Sequence, residues 1–360
     1  MSSPDIKSPW RASHLHATHL PAFLHALEET YAVYVPEKKA GRQHLARWSD
    51  GAPSLTTAPS LDPVIGEVRP CEPLKAFYFK SRQRVARGFG DELPAPEGKP
   101  ACIVGAKGCD LAGFEVLDRV FLSEDCRDPF YEKQRADILL ISADCTTAID
   151  TCFCLALDGK PWPTKGFDIN LSETAGGFLA EPGSQKGAAV LERSASLLSE
   201  AGEDAFRDRE ARRALVSQQV ERNLGTHGIP GLERLAGAVA KKYESALWKE
   251  EASRCVECGA CNVICPTCHC FLLYDQAAGQ ETWRLRMWDS CLLKDFARVA
   301  GGANPRSRLW MRLRNRFEKK FDFFPKTSDI YACTGCGRCI LACPAKIDIR
   351  TVLKRLAEDG

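Results

Sequence analysis

The chain has 360 residues, of which 44% are hydrophobic and 27% are charged, and its formal net charge is +2 at pH 7. These values are typical of a globular protein long enough for two domains. The net charge is too small to predict a nucleic-acid partner, and no run of about eighteen apolar residues predicts a membrane span. Eighteen cysteines without the pattern of an export signal favour a reducing compartment, so we expect a cytoplasmic protein.

The first predicted elements are a helix and a strand. Residues 18–35 contain apolar side chains at helical spacing and then a β-rich segment, which Pro36 is expected to stop. The histidines at positions 14, 16 and 19 are expected to lie in a solvated terminal segment, with metal chelation as the alternative. A proline-rich stretch follows to about residue 100, and we expect it to wrap a sheet edge or to contain short strands.

A strand, a helix and a second strand come next. Residues 101–105 and 136–142 are apolar runs that predict buried strands, and residues 110–122 predict the helix between them. This βαβ unit predicts an α/β or α+β fold for an N-terminal domain that we expect to cover residues 1–230. Residues 166–180 predict a hairpin with its turn near two glycines.

Two further helices are predicted before the chemistry of the chain changes. They cover residues 203–222 and 232–248. The second of them leads into the cysteine-rich end of the chain, so we expect a second domain at residues 231–360.

Two cysteine motifs with the same spacing, Cys-x2-Cys-x2-Cys-x3-Cys-Pro, occur at residues 255–266 and 333–344. Bacterial ferredoxins use this spacing to hold two [4Fe–4S] clusters: three cysteines bind one cluster, and the fourth, before proline, binds the other. We expect this fourth cysteine at the start of a helix. The expected ligands are Cys255, Cys258, Cys261 and Cys343 for one cluster, and Cys333, Cys336, Cys339 and Cys265 for the other.

Other interpretations of these eight cysteines fit less well. A structural zinc site uses two CxxC pairs and not three evenly spaced cysteines with a fourth before proline. Disulfides would require an exported chain. The second domain is therefore expected to be ferredoxin-like and α-helical, with a long insertion between its motifs. Arg254 and Arg338 lie beside the motifs and are expected to stabilise the reduced clusters.

The insertion contains a basic segment at residues 306–320 whose apolar residues have helical spacing. One interpretation is a solvated helix face that also neutralises the clusters. The other is a docking surface for an acidic partner subunit.

Six further cysteines form a weaker pattern. Four of them form two CxC pairs. On an extended backbone, both thiols of a pair would point to the same side and could bind the same metal or cluster. We expect either a third iron–sulfur cluster between the domains or, as alternatives, buried free thiols or a redox-active dithiol. The six are Cys152, Cys154, Cys268 and Cys270, with Cys145 and Cys291 as alternates.

The last four cysteines lack metal spacing and are expected to pack in the core. They are Cys71, Cys102, Cys109 and Cys126. Cys109 is also expected at the start of a helix, where the helix dipole lowers the pKa of a thiol. A reactive thiol or a small anion site is the alternative there.

A series of segments points to a known family. They are Lys107-Gly108-Cys109-Asp110-Leu111, Asp118-Arg119-Val120-Phe121-Leu122, Asp128-Pro129-Phe130-Tyr131, Asp150-Thr151-Cys152-Phe153-Cys154, Gly183-Ser184-Gln185-Lys186-Gly187, Cys265-Pro266-Thr267-Cys268-His269-Cys270 and Trp288-Asp289-Ser290-Cys291. With residues 298–306 and 333–339, nearly the whole chain resembles the 4Fe–4S dicluster subunits of cytosolic sulfhydrogenases and anaerobic sulfite reductase. The resemblance implies a subunit that carries electrons between a flavin- or nicotinamide-linked subunit and a catalytic subunit.

The expected function is therefore electron transfer through two [4Fe–4S] clusters within a cytoplasmic oxidoreductase complex of hydrogenase or sulfite-reductase type. The alternative is a stand-alone iron–sulfur reductase that acts on a sulfur compound and has its own substrate or flavin site in the N-terminal domain. A cluster-based sensor or assembly scaffold is a weaker alternative, because no DNA-binding motif is present.

Overall fold

The computed structural model describes residues 10–48, 64–88 and 98–358. The strands in this part of the chain are β1 (Ser13–His16), β2 (Ala32–Lys39), β3 (Arg42–Arg47), β4 (Arg82–Arg87), β5 (Ala101–Ala106), β6 (Leu122–Ser123), β7 (Cys126–Arg127), β8 (Leu139–Ala143), β9 (Ile169–Thr174), β10 (Gly177–Pro182), β11 (Leu198–Glu200), β12 (Phe271–Ala278) and β13 (Glu281–Trp288). The N-terminal residues and parts of the proline-rich stretch, 49–63 and 89–97, lie outside the described residues.

The α-helices in the same part of the chain are α1 (Leu20–Glu28), α2 (Lys75–Tyr78), α3 (Gly108–Phe121), α4 (Pro129–Asp137), α5 (Gln185–Arg193), α6 (Glu203–His227), α7 (Leu232–Leu235), α8 (Ala238–Lys241), α9 (Leu247–Ser253), α10 (Ala260–Val263), α11 (Leu309–Glu318), α12 (Phe324–Ser328), α13 (Arg338–Ala342) and α14 (Ile349–Glu358). A π-helical segment, Lys319–Phe323, joins α11 to α12. No helix among the described residues is long and apolar enough to cross a membrane.

Within the described residues, eight strands form one mixed sheet in the order β11-β1-β10-β9-β8-β5-β2-β3. The neighbours β2, β5, β8 and β9 are parallel, and the others are antiparallel. The predicted βαβ unit is confirmed, as is the hairpin, which β9 and β10 form with a turn at Gly176. The second strand of the unit begins only at Leu139, because α4 continues to Asp137.

Helices cover both faces of the sheet. Cys102 and Val104 of β5 lie in a core with α1, whereas Ile103 lies in a core with α3 and α4. Successive side chains of a strand point to opposite faces, so a strand covered on both sides is apolar throughout. This explains why the strands of the βαβ unit are recognisable as uninterrupted apolar runs.

The sequence predicts that Pro36 ends the first strand after α1, but the structure shows that this strand, β2, continues past it. β2 continues to Lys39 and pairs with β3 through Pro36 itself. The parallel pairing of β2 with β5 ends at Tyr34. A proline is tolerated there because the ladder with β5 has already ended, so no ladder hydrogen bond to that strand is lost.

The single helix predicted at residues 232–248 is wrong. The structure has α7, α8 and the beginning of α9 in this range, and Gly237 at a φ of +70° separates the first two. A residue in this left-handed conformation ends a helix, and glycine adopts it at little cost. The helix predicted at residues 203–222 is confirmed as α6, which continues to His227.

A second, three-stranded sheet connects distant parts of the chain, in the order β12-β13-β4. β12 and β13 belong to the insertion between the motifs, and β4 comes from the proline-rich stretch. The sequence predicts an α-helical cysteine-rich region, and this prediction is wrong in part, because the region also contains β12 and β13. Its likeness to ferredoxin and the domain boundary near residue 230 stay predictions.

The helices of the C-terminal region pack around their own core. Trp248 of α9, Phe317 of α11 and Val352 of α14 are buried together in it. Phe153, from the segment that follows β8, belongs to the same core. The N-terminal and C-terminal regions therefore share an apolar contact close to the cysteine motifs.

Candidate metal centre

Five cysteines from both motifs line one cavity: Cys255, Cys258 and Cys261 of the first, and Cys339 and Cys343 of the second. Cys339 also interacts with Cys265 and Cys336, so we call the remaining four, Cys255, Cys258, Cys261 and Cys343, the first group. The cavity is completed by apolar side chains, among them Leu313 and Phe317 of α11 and Ile349 of α14. Burial raises the pKa of the Cys255 thiol, and the thiolate charges of Cys343 and Cys258 raise it further.

The other four cysteines of the motifs form a neighbouring group. Burial raises the pKa of Cys333 to about 12 and that of Cys339 to about 11, and the charge of Cys265 adds to both shifts. The charge of Cys336 also acts on Cys339. The pKa of Cys265 is instead lowered, because its sulfur accepts a hydrogen bond from the thiol of Cys268.

Short helices position the fourth cysteine of each motif. α10 and α13 each begin after a glycine with a positive φ, Gly259 or Gly337. Cys265 follows the end of α10, and Cys343 is the residue after the last turn of α13. The fourth cysteines therefore lie at helix ends and not at helix starts, which corrects the expectation from sequence.

Arg316 of α11 lies between the two groups of cysteines. Its Nε donates a hydrogen bond of 2.9 Å to Oδ1 of Asn262, and it lines the cavity of the first group. Burial opposes its charge, but the thiolates of Cys261 and Cys339 outweigh that cost and hold its pKa well above the usual range. One buried cation therefore acts on both groups.

Lys320 serves the second group alone. Its Nζ lies 3.4 Å from Sγ of Cys265 and donates hydrogen bonds to Oγ1 of Thr267 at 2.8 Å and to the carbonyl of Ala332 at 2.9 Å. Burial opposes the charge here as well, but the thiolates of Cys265 and Cys268 raise the pKa of Lys320 above its usual value.

The basic segment is thus mostly interior. Arg312, Arg314, Arg316 and Lys320 are each less than 10% exposed. These four buried side chains form neither a solvated face nor a docking surface, although Arg308 is exposed. The other part of the first interpretation, neutralisation of the clusters, agrees with the positions of Arg316 and Lys320 beside the cysteines. The sequence does contain a sign of this burial, because the basic residues alternate with large apolar ones within α11.

Three ion pairs involve residues in or beside the motif loops. Arg312 pairs with Glu257, which lies between the first two cysteines at a φ of +60°. Arg338 pairs at 2.8 Å with Asp110 in the first turn of α3, and both side chains are almost fully buried. Arg254 pairs with Glu251. Arg254 and Arg338 therefore have carboxylate partners, and the charges of Cys336 and Cys109 also act on Arg338.

The donor set fits iron–sulfur clusters. Among the described residues, no group of three or more histidine, cysteine or acidic side chains is close enough to hold a single metal ion. A cubane does not need such convergence, because each thiolate binds a different iron. A bound [4Fe–4S] cluster would supply one-electron redox chemistry. The cysteines and buried cations described above are suited to an anionic group of this kind.

The six cysteines of the weaker pattern lie in two places. Cys145, Cys152 and Cys154 line one cavity, and Cys109 lines it with them. Cys268 and Cys291 lie near Asn262 instead, whose Nδ2 donates a hydrogen bond of 3.2 Å to Sγ of Cys291. The thiols of Cys270 and Cys291 are themselves hydrogen-bonded to each other.

The remaining predicted sites have mixed outcomes. Cys102 is fully buried, as expected, but Cys126 is exposed. The predicted lowering of the pKa of Cys109 is wrong, because burial raises it and the charge of Asp110 adds to the rise. The histidine cluster is solvated at His16 and His19, which are exposed, as expected. The segment is nevertheless ordered, because His14 and His16 belong to β1, which lies between two other strands of the large sheet.

Comparison with known proteins gives two matches. The 4Fe-4S dicluster domain family matches residues 254–347. The chain is also 30% identical over 346 residues to the beta subunit of sulfhydrogenase 2 from Pyrococcus furiosus, an alignment that covers 96% of this chain and 98% of the relative. The chain therefore belongs to the family of iron–sulfur, electron-transferring subunits that includes this sulfhydrogenase beta subunit.

Proposed function

We propose that the chain relays electrons through two [4Fe–4S] clusters within a multi-subunit oxidoreductase. Its partners would be a flavin- or NAD(P)-linked subunit on one side and a catalytic subunit of hydrogenase or sulfite-reductase type on the other. The relative's name, a sulfhydrogenase subunit, supports assembly with catalytic chains. The hydrogenase type is the first choice for this reason.

The observation that carries the proposal is the position of Cys343. It comes from the second motif but lines a cavity with three cysteines of the first and with Cys339, and its charge acts on Cys255. Cys265 of the first motif, in turn, interacts with Cys333 and Cys339 of the second. Crossed ligation of this kind keeps two clusters close together. Electrons could then pass between them without a mobile carrier.

The buried cations would set the working potentials. An oxidised [4Fe–4S] core with four thiolates carries a charge of about −2, and reduction makes it more negative. Arg316, beside both groups, and Lys320, beside Cys265, would favour the reduced state. The protein's contribution to the relay would therefore be position and electrostatics.

An apolar surface beside the first group offers a place for electron exchange with a partner. Cys258 is exposed, and so are several apolar side chains of the same region. They are Val256, Val263, Leu293 and Leu341. Exposed apolar clusters of this type are common at protein–protein contacts. A partner covering them would approach the first cluster without entering the protein.

Serine variants test the crossed ligation. Cys258→Ser and Cys336→Ser provide reference spectra for loss of one ligand at the first and the second cluster. We expect the electron paramagnetic resonance spectrum of reduced Cys343→Ser to match that of Cys258→Ser, and that of Cys265→Ser to match Cys336→Ser. Cys126→Ser, at an exposed thiol outside both groups, should retain the wild-type spectrum with two interacting S = 1/2 signals. The proposal would be contradicted if the spectrum of Cys343→Ser matched that of Cys336→Ser and the spectrum of Cys265→Ser matched that of Cys258→Ser.

Isolation of the native complex tests the function itself. We expect a flavin-containing chain and a catalytic chain to co-purify with this subunit, and its clusters to be reduced by the nicotinamide cofactor only while the flavin-containing chain is present. A subunit that purifies alone from its native source, with clusters that exchange electrons with no other chain, would contradict the relay.

A groove beside Cys333 favours the stand-alone reductase as a second candidate. It is lined by Lys160, Trp162 and Lys165 on one side and by Tyr331 on the other. Glu115, Asp158 and Asp329 line the groove as well, and Lys165 pairs with Glu115 at 3.2 Å. With two aromatic rings and mixed charges, the groove would suit a planar cofactor better than a small anion. The purified chain discriminates between the functions: sulfite or polysulfide should reoxidise its dithionite-reduced clusters catalytically if it is a reductase, and should not if it is a relay.

A further inference from the structure

The cavity lined by Cys109, Cys145, Cys152 and Cys154 lies where the large sheet meets the second motif. Cys109 follows β5 and Cys145 follows β8. Because these strands are parallel neighbours, their carboxyl ends meet at the same edge of the sheet. This edge is the usual position of binding sites in sheets of this type.

The other two thiols are held by the second motif. The amide of Phe153, between Cys152 and Cys154, donates a hydrogen bond of 2.9 Å to the carbonyl of Gly335. A Cβ atom at Gly335 would lie 2.5 Å from Cα of Cys154, so the two backbones touch. Cys336 lines the same cavity. The four thiols are thus separated from the second cluster only by the motif that binds it.

Buried positive charge points into this cavity. Arg69 lines it and is 5% exposed, and its Nε and Nη2 have no hydrogen-bond partner among the described residues. An unpaired guanidinium in the interior is costly unless a bound group supplies the opposite charge. Within the described residues, these two nitrogens of Arg69 therefore have no anionic partner.

Lys107 adds a second cation beside the same thiols. It is fully buried, and its Nζ donates hydrogen bonds to the carbonyls of Ile65 at 2.5 Å and Asp144 at 3.2 Å. The carboxylate of Asp144 is occupied elsewhere, since it pairs with Arg213 at 2.7 Å. Both of these hydrogen-bond partners are neutral carbonyls, which do not offset the cost of a buried charge at this position.

We propose that Cys109, Cys145, Cys152 and Cys154 bind a third iron–sulfur cluster, adjacent to the second one. A third cluster would extend the proposed electron relay. Only its role in electron transfer rests on that proposed function; its binding by these cysteines does not. Four thiolates around an iron–sulfur core would supply the negative charge that Arg69 and Lys107 lack. Zinc is disfavoured, because no three of these cysteines are close enough to share one ion in the described part of the chain.

The metal content of the anaerobically reconstituted full chain tests the proposal. Two cubanes require about eight irons and a third requires about twelve. We expect about twelve in the wild type and about eight in Cys145→Ser and in Cys152→Ser, with equal losses of inorganic sulfide. Cys126→Ser, at an exposed thiol, should retain the wild-type count. The interacting signals of the two ferredoxin-type clusters should persist in each variant, which shows that the chain is still folded.

Arg69→Gln provides an independent readout. We expect this variant to retain all its iron, but the midpoint potential of one cluster should fall, because the reduced state loses a neighbouring cation. Arg308→Gln, at an exposed arginine at the start of α11, should leave every potential unchanged.

The outcomes separate this inference from the proposed relay. A wild type with about eight irons that Cys145→Ser does not lower would overturn the third cluster, and so would stoichiometric zinc in its place. Either result leaves the two ferredoxin-type clusters and the relay untouched. Failure of the relay would appear instead in the spectra of Cys265→Ser and Cys343→Ser.

Discussion

At the scale of single residues, the buried cations Arg316 and Lys320 differ in which cysteine groups they act on. Arg316 interacts with cysteines of both groups, whereas Lys320 contacts Cys265 directly and its pKa is raised by the thiolates of Cys265, Cys268 and Cys333. A charge stabilises a reduced cluster more strongly the nearer it lies and the less water intervenes. The two side chains should therefore be separable by experiment.

Lys320→Met should lower the midpoint potential of the second cluster while that of the first changes little. Loss of the ammonium group removes the stabilisation that the reduced, more negative cluster receives. Methionine retains much of the side-chain volume. A redox titration followed by electron paramagnetic resonance measures both potentials.

Lys241→Met is the matched control, since Lys241 is an exposed lysine of α8. It should leave both potentials unchanged. Equal shifts at the two clusters in Lys320→Met would show that the lysine acts through the general charge of the protein and not through its contact with Cys265.

At the scale of elements, the second motif packs backbone to backbone against the segment after β8. A Cβ atom at Gly337 would lie 2.1 Å from the carbonyl oxygen of Thr151, and its φ is +71°. Neither the space nor the conformation suits a residue with a side chain. The close packing of the two regions therefore requires a glycine at position 337.

Gly337→Ala should destabilise the protein by about 2 kcal/mol or more, since a left-handed conformation alone costs alanine about 1–2 kcal/mol. Displacement of the loop should also lower iron binding. Thermal unfolding and iron content of the anaerobic protein measure the two effects. Gly301→Ala is the control, because nothing lies within 4 Å of a Cβ atom there. Similar behaviour of the two variants would contradict the close contact.

Prediction from sequence succeeds for elements whose residues share one environment. β5 and β8 are covered on both faces and so are apolar throughout, and α1 buries the four apolar residues that have helical spacing. It fails where distant contacts decide. The hairpin of β12 and β13 carries exposed apolar and charged residues side by side, and its pairing with β4 has no local signal.

The candidate site shows the same division. Motif spacing indicates the eight cysteines because ferredoxin ligands lie close in sequence. The grouping of Cys109 with Cys145 is not visible from spacing, although the predicted βαβ unit already puts the residues after both strands at one edge. The burial of Arg316 and Lys320 depends on the packing of α11 and of the π-helical segment after it against the helices around them. The mixing of basic and large apolar residues in α11 is a sign of this burial, but it does not show which cysteines the cations approach.

At the scale of the whole molecule, one ion pair connects three parts of the chain. Arg286 of β13 is 3% exposed and pairs with Asp128, which caps α4 by accepting hydrogen bonds from the amides of Phe130 and Tyr131. The same guanidinium donates a hydrogen bond of 2.8 Å to Gln83 of β4. Breaking this pair would leave a buried charge without its carboxylate.

Asp128→Ala should lower the free energy of unfolding by about 3–5 kcal/mol, because removal of one partner of a buried pair costs this much. Loss of the helix cap adds to the effect. Urea unfolding of the anaerobic protein, followed by circular dichroism, measures the change. Asp125→Ala, at an exposed aspartate of the neighbouring turn, should stay close to wild type. An equal cost at both positions would rule out a special role for the ion pair.

The pairing of β4 with β13 also has a consequence during synthesis. β4 ends at Arg87, whereas its partner begins only at Glu281. A nascent chain can complete the large sheet long before that partner leaves the ribosome. Through that interval β4 presents an unpaired edge, the kind of surface on which chains aggregate. Cells that make this protein should therefore need a chaperone on the growing chain until the last third has emerged.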